Sequence, residues 1–225
     1  MAGHPKNPQT LDSFLKKYKY IKDDKDSGDI THTRIGDKKK IYGGSYSIPN
    51  EQIKRFYELY NIAVFEGGTI EYLTEKQSSE KGPILVDFDF RYKNTVKKRK
   101  HTQNHIIDII DLYLHKLKEL LDFDNSKTFP VYVLEKPDVN IIETENITKD
   151  GIHMIIGIKL SHKMQMLLRK RVLDEIADVW GELPIINTWE SVLDEGISMG
   201  YTNWQMIGSR KPHNQCYQLK MLYQT

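Results

Sequence analysis

The segment Gly-Pro-Ile-Leu-Val-Asp-Phe-Asp-Phe-Arg-Tyr-Lys, residues 82–93, constrains the fold of this chain more than any other. It is rich in β-branched and aromatic residues and is entered through Gly-Pro, the composition of a strand behind a turn. Side chains alternate along a strand, so Ile84, Val86, Phe88 and Phe90 share one face while Asp87 and Asp89 share the other. The strand therefore belongs to a sheet with one covered face. At a rise of about 3.3 Å per residue the two aspartate Cα atoms lie roughly 6.5 Å apart, close enough for both carboxylates to hold one ion or bracket two. Like charges at that spacing repel, and a divalent cation, Mg²⁺ or Mn²⁺, relieves the repulsion. The competing reading is a face that is merely wet.

Asp-Phe-Asp occurs a second time, at residues 122–124, but there it follows a helical stretch and runs into Asn-Ser-Lys. Asp122 and Asp124 read as residues of a helix exit and turn, making local hydrogen bonds.

The rest of the chain supplies the sheet and its cover. Thr10 caps a short amphipathic helix, a polar, glycine-bearing stretch over 21–40 is expected to be mobile, and a strand at 41–48 precedes a helix started by Pro49. A short hairpin ending near Leu73 and a loop follow. Beyond the 82–93 strand come a basic loop, a long helix over 103–121, strands at 129–136 and 151–160, a second long helix capped by Ser161 and stopped by Gly181 and Pro184, and strands near 204–208 and 216–223. This order predicts an α+β fold, with helices packed on one face of a mainly antiparallel sheet. Residues 1–82 form a small N-terminal α/β unit with the basic segment, and 83–225 form the core. Thr225 falls inside a strand pattern, which points to a piece of a longer protein.

The 225 residues carry a net charge of only +2, so no overall field announces a nucleic-acid partner. Local clusters must do so, chiefly Lys97, Lys98, Arg99 and Lys100; a solvated surface is the alternative. One cysteine, Cys216, excludes a disulfide framework and any multi-cysteine zinc site. No apolar run reaches membrane-spanning length and the N-terminus lacks a signal-peptide core, so an intracellular, unsecreted protein without a membrane partner is expected. His101 and His105 have zinc-compatible spacing but no third ligand nearby, and read as an exposed pair.

Three later pieces complete a candidate site. In Asp-Gly-Ile-His-Met-Ile-Ile, residues 150–156, alternation sets His153 opposite Ile152 and Met154. Asp194 follows, with Glu190 and Glu195 near enough in sequence to compete for its role. The turn Gly208-Ser209-Arg210-Lys211 then offers backbone N–H groups, a hydroxyl and two cations to a triphosphate.

An Asp-x-Asp strand, a Gly-x-His at the head of a later strand, and an acid ahead of a Gly-Ser-x-Lys turn, in this order, resemble the archaeo-eukaryotic primase superfamily. The likeness is greatest to the primase half of primase-helicases of large nucleocytoplasmic DNA viruses. The resemblance implies an RRM-like catalytic sheet and a DNA primase or primase-polymerase, a nucleotidyltransferase. It would work in DNA replication on a single-stranded DNA template, from NTPs or dNTPs, with two Mg²⁺ or Mn²⁺ ions. It implies that Asp87, Asp89 and Asp194 bind the metals and that His153, Ser209, Arg210 and Lys211 hold the nucleotide's phosphates. It also implies a helicase domain in the same polypeptide and, for a viral protein, a replication site in host cytoplasm or nucleus. Gln205 departs from the family pattern, in which arginine is common. A non-catalytic single-stranded-DNA-binding domain and a metal-dependent glycosyltransferase are the competing classes, the latter leaving the Gly-Ser-Arg-Lys turn without a purpose.

Overall fold

The computed structural model describes residues 9–22, 28–37, 40–122 and 128–225. Lys38, Lys39, Asp124 and part of the stretch expected to be mobile lie outside them. The chain divides into two compact units, residues 1–76 with 204–213, and residues 77–203 with 214–225.

The first unit opens with α1 (Leu11–Lys17), fixed by a reciprocal capping box in which Thr10 and Ser13 exchange backbone-to-hydroxyl bonds. Strands β1 (His32–Arg34) and β2 (Gly44–Tyr46), helix α2 (Asn50–Asn61) and β3 (Leu73–Glu75) follow. Leu11, Phe14, Leu15, Phe56 and Leu59 form the core with Leu73 and Met206. β1 lies inside the segment expected to be mobile. Its inward residues are His32 and Arg34, so no apolar alternation betrays it. Nor do residues 67–73 form a hairpin: β3 pairs antiparallel with β1, far back in the chain.

The second unit begins with β4 (Lys81–Lys93), then α3 (Gln103–Leu120), β5 (Pro130–Glu135), β6 (Asn140–Ile142) and β7 (Ile147–Ser161). The second long helix is interrupted: α4 (His162–Leu173) ends at Asp174, and α5 (Ile176–Trp180) restarts after Glu175. Leu168, Val172, Ile176 and Trp180 keep one apolar spacing across the break, so the sequence pattern reads as continuous. Two four-residue helices, α6 (Trp189–Val192) and α7 (Glu195–Ser198), precede β8 (Trp204–Gln205) and β9 (Gln218–Gln224). β8 belongs to the first unit's sheet, ordered β2-β1-β3-β8, so residues 204–213, expected in the catalytic core, pack with the N-terminal elements.

The second sheet is antiparallel throughout and ordered β4-β7-β5-β9, with β6 beside β7. β4 and β5 run parallel with β7 between them, and β7 and β9 run parallel with β5 between them, giving two split β-α-β crossovers. This is an α+β fold. Ile84, Val86, Phe88 and Phe90 pack with Val131, Val133, Ile152 and Met154 and with residues of α3, α4 and α5. Trp180 is fully buried against Phe88, with ring centroids 4.9 Å apart. Among the described residues no helix is long and apolar enough to cross a membrane.

Candidate active site

The alternation that buries Phe88 and Phe90 turns Asp87 and Asp89 to the opposite face of β4. The pairing register sets Asp87 directly across from His153 and Asp89 across from Gly151. Three of the expected residues therefore meet on one face of two adjacent strands. His153 Nε2 lies 3.4 Å from Asp87 Oδ1. That oxygen is buried and makes no hydrogen bond, an arrangement costly for a carboxylate unless a cation completes it.

Tyr217, just ahead of β9, stacks on the His153 imidazole at 3.5 Å between centroids and 16° between planes. The Lys136 ammonium lies 4.8 Å from the centroid of the same phenol ring. Burial, reinforced by the charges of Asp87, Asp89 and Asp150, pushes the Tyr217 hydroxyl well above its ordinary value, so it stays protonated. Gly151 makes this arrangement possible: a Cβ there would stand 2.7 Å from the Tyr217 hydroxyl and 2.8 Å from the Phe88 carbonyl. The small residue before His153 is thus required by close approach.

β4 is an edge strand of its sheet, and residues 186–194 run along that edge. Ile186 N–H donates to Arg91 O; the Asn187 side chain accepts from Arg91 N–H and donates to Asp89 O; Leu193 bridges Phe88; and Asp194 N–H donates to Asp87 O at 3.0 Å. Arg169, one of the cations of α4, is buried and directs its guanidinium to the carbonyls of Leu193 and Glu190, fixing this strap. Asp194 is therefore beside Asp87 through its backbone, while its Oδ1 caps α7 by accepting from Ile197 N–H. Glu190 and Glu195 are exposed. Among the described residues no three His, Cys, Asp or Glu side chains converge to metal-binding distance. The residues that fit a divalent ion are Asp87 and Asp89.

The basic loop divides. Arg99 turns inward and forms a fork to Asp150 at 2.9 and 3.0 Å, with further bonds to Glu135 at 2.8 Å and the Lys136 carbonyl. His101 is buried with them, against Glu135, and His105 caps α3 with Thr102 and contacts Glu182, so the expected exposed histidine pair does not exist. Burial acts to raise Glu135, but the His101 hydrogen bond and the Arg99 charge outweigh it and hold the carboxyl below its ordinary value. Arg99 is thereby withdrawn from the DNA-binding set. Lys97, Lys98 and Lys100 remain exposed, Lys97 within 3.4 Å of Glu143.

The Gly-Ser-Arg-Lys turn belongs to the first unit. Ser209 is buried; its hydroxyl accepts from Leu73 N–H and contacts the Tyr60 hydroxyl. Its N–H donates to Met206 O, and Arg210 N–H donates to Glu71 O. The hydroxyl and these two amides thus hold the turn itself, contrary to the expected phosphate cradle, and leave the Arg210 and Lys211 side chains as its cations. Gly208 takes φ +85°, where a side chain would be strained and would meet Val64 and Phe65.

Sequence reasoning missed Tyr217, Asn187 and Arg169. None has a pattern of its own: a tyrosine before a strand, an asparagine in a loop and an arginine within a basic helical run look alike whether buried or not.

Residues 31–223 match the family model for the N-terminal archaeo-eukaryotic primase (AEP) domain of the C962R protein. A protein described as helicase L207/L206, from Acanthamoeba polyphaga mimivirus, is 31% identical over 210 residues, which is 92% of this chain and 21% of that protein. The chain thus spans about a fifth of the length of this relative.

Proposed function

Because the chain belongs to the archaeo-eukaryotic primase family, in the group defined by the C962R N-terminal domain, we propose that it is a DNA-dependent nucleotidyltransferase that makes primers on single-stranded DNA during replication. The observation that carries this reading is the paired placement of Asp87 and Asp89 on an open strand face, with a buried Asp87 oxygen that lacks a hydrogen bond and His153 directly across. Asp87 and Asp89 would hold the divalent ions, Mg²⁺ or Mn²⁺, and Asp194, expected as the third acid, instead fastens the strap beside Asp87 through its backbone while its side chain caps α7. Bound there, such ions lower the pKa of an attacking 3′-hydroxyl and offset charge on the transferred phosphoryl group.

His153 donates to a phosphate oxygen of the incoming nucleotide. Tyr217 fixes the ring from one side, so that the donor stays oriented without a rotamer search. Lys136, its ammonium over the same tyrosine ring, adds a cation to the neighbourhood. Arg210 and Lys211 bind phosphate through their side chains, and Ser209 shapes their turn. Lys97, Lys98 and Lys100 contact the template backbone, which makes template binding salt-dependent. The helicase-named relative supports a longer polypeptide in which this domain primes for a helicase, acting in an intracellular viral replication compartment.

The test is template-dependent incorporation of NTPs and dNTPs on unprimed single-stranded DNA with Mg²⁺ or Mn²⁺. Asp87→Asn with Asp89→Asn should lower it by at least about a thousandfold, the equivalent of several kcal/mol of transition-state stabilisation. Undiminished synthesis by the double variant ends the proposal. DNA binding with no metal-dependent incorporation by the parent chain would identify a non-catalytic binding domain instead.

A further inference from the structure

The first unit contains a cavity of about 610 Å³ that the carboxylate site does not involve. Its volume lies in the range of small-molecule sites. One wall is a face of α1 and its exit, which contributes Asp12, Lys16 and Lys19; the other carries Arg34, Tyr42 and Tyr46.

The Arg34 side chain is only 6% exposed. Its Nε and Nη2 form a fork with the buried Glu71 carboxylate, while Nη1 reaches the cavity wall and meets Asp12 Oδ1 at 2.7 Å. The Asp12 side chain is 75% exposed. A fixed, buried guanidinium whose Nη1 is covered by a solvated carboxylate is a preformed anion site with a replaceable anion in it, because exposed ion pairs are weak and guanidinium geometry suits phosphate oxygens.

Lys16 and Lys19 are both exposed on the lining, so an anion entering here would be drawn by two mobile cations beside the fixed one. Tyr42 is 85% exposed, the posture of a ring with a face to offer rather than a core to fill. Its position is nevertheless set: Asp37 Oδ1 accepts from the amides of Lys40 and Ile41, and Gly43 packs so tightly on Gly36 that a Cβ would stand 2.8 Å from its nitrogen. A flat aromatic face at the rim of a cationic cavity is the combination that receives a base next to its phosphate.

We propose that this cavity binds a nucleotide moiety, its phosphate taking the place of the Asp12 carboxylate on Arg34 between Lys16 and Lys19, and its base stacking on Tyr42. A free nucleoside triphosphate and one residue of a single DNA strand both present that chemistry. The site stands on the first unit alone and is independent of any ion at Asp87 and Asp89.

The full chain is titrated into fluorescein-labelled oligothymidylate in EDTA, followed by anisotropy, with unlabelled ATP as competitor and ATP binding measured separately by calorimetry. EDTA removes ion-bridged binding, so failure here leaves the catalytic proposal intact, and loss of incorporation in the aspartate variants leaves this one intact. Lys16→Glu with Lys19→Glu, and separately Tyr42→Ala, should each weaken binding by about tenfold. Asp12→Asn should tighten it by about threefold, since the competing carboxylate is gone. Displacement by ATP assigns the site to free nucleotide; oligonucleotide binding that ATP does not displace assigns it to a strand. The proposal is overturned if neither probe binds, if the lysine and tyrosine variants bind as the parent does while melting at its temperature, or if Asp12→Asn binds no more tightly.

Discussion

Gly151 shows how a single missing methyl group organises the site. Adding it would drive a Cβ into the Phe88 carbonyl, part of the paired strand, and into the Tyr217 hydroxyl. Gly151→Ala should therefore lose about 1–3 kcal/mol in chemical denaturation and lower nucleotide incorporation more than Tyr217→Phe, which keeps the ring on His153. His32 provides a second test at this scale. Burial lowers its pKa from 6.5 to about 4, so the folded chain holds it neutral where the unfolded chain takes up a proton. Its contribution to stability is complete above pH 6.5 and falls away as pH drops toward 4. Melting temperatures across that window should fall less in His32→Phe, which retains a ring against Phe56. The acidic pair was legible in the sequence because alternation alone fixes which face a strand residue takes. Arg99 and Ser209 were not, because a residue's type says nothing of the partner awaiting it: Arg99 meets Asp150 and Glu135 across about fifty and thirty-five positions, and Ser209 meets Leu73 from far down the chain.

At the scale of elements, helices announced by caps and apolar spacing were readable, whereas pieces held by pairing alone were not. Thr10 and Ser161 begin α1 and α4 where their side chains predict. β1 escaped because its inward residues are polar, and the 186–194 strap escaped because its bonds to β4 run mainly through backbone atoms. The inward arginine of the basic loop is the sharpest element-level test. Arg99→Met leaves two buried carboxylates without their cation and should cost about 3 kcal/mol or more. Lys98→Ala, in the same loop, should leave the melting temperature unchanged and instead reduce the salt dependence of DNA binding by about one ion. If both substitutions act only on DNA binding, the buried network does not hold the loop.

Across the molecule, two separate apolar clusters each have a full-depth aromatic centre, Phe56 in the first unit and Phe88 with Trp180 in the second. The α+β class and the antiparallel sheet of the second unit follow from the order of strands and helices. The assignment of residues 204–213 to the first unit does not, because it is decided by the pairing of Trp204 and Gln205 with Glu75 and Thr74. One consequence is measurable: the Leu73 amide, protected in the full chain by the Ser209 hydroxyl, should exchange rapidly with deuterium in a fragment ending at Lys76. The same interleaving sets a timetable for synthesis. A nascent chain emerging from the ribosome lacks β8, Met206 and Ser209 until more than 200 residues have been made, so the N-terminal unit, although translated first, waits half-built. That unit is thus completed only at residue 213, shortly before β9 completes the second, and its unpaired β3 edge is the surface a chaperone would have to guard in the interval.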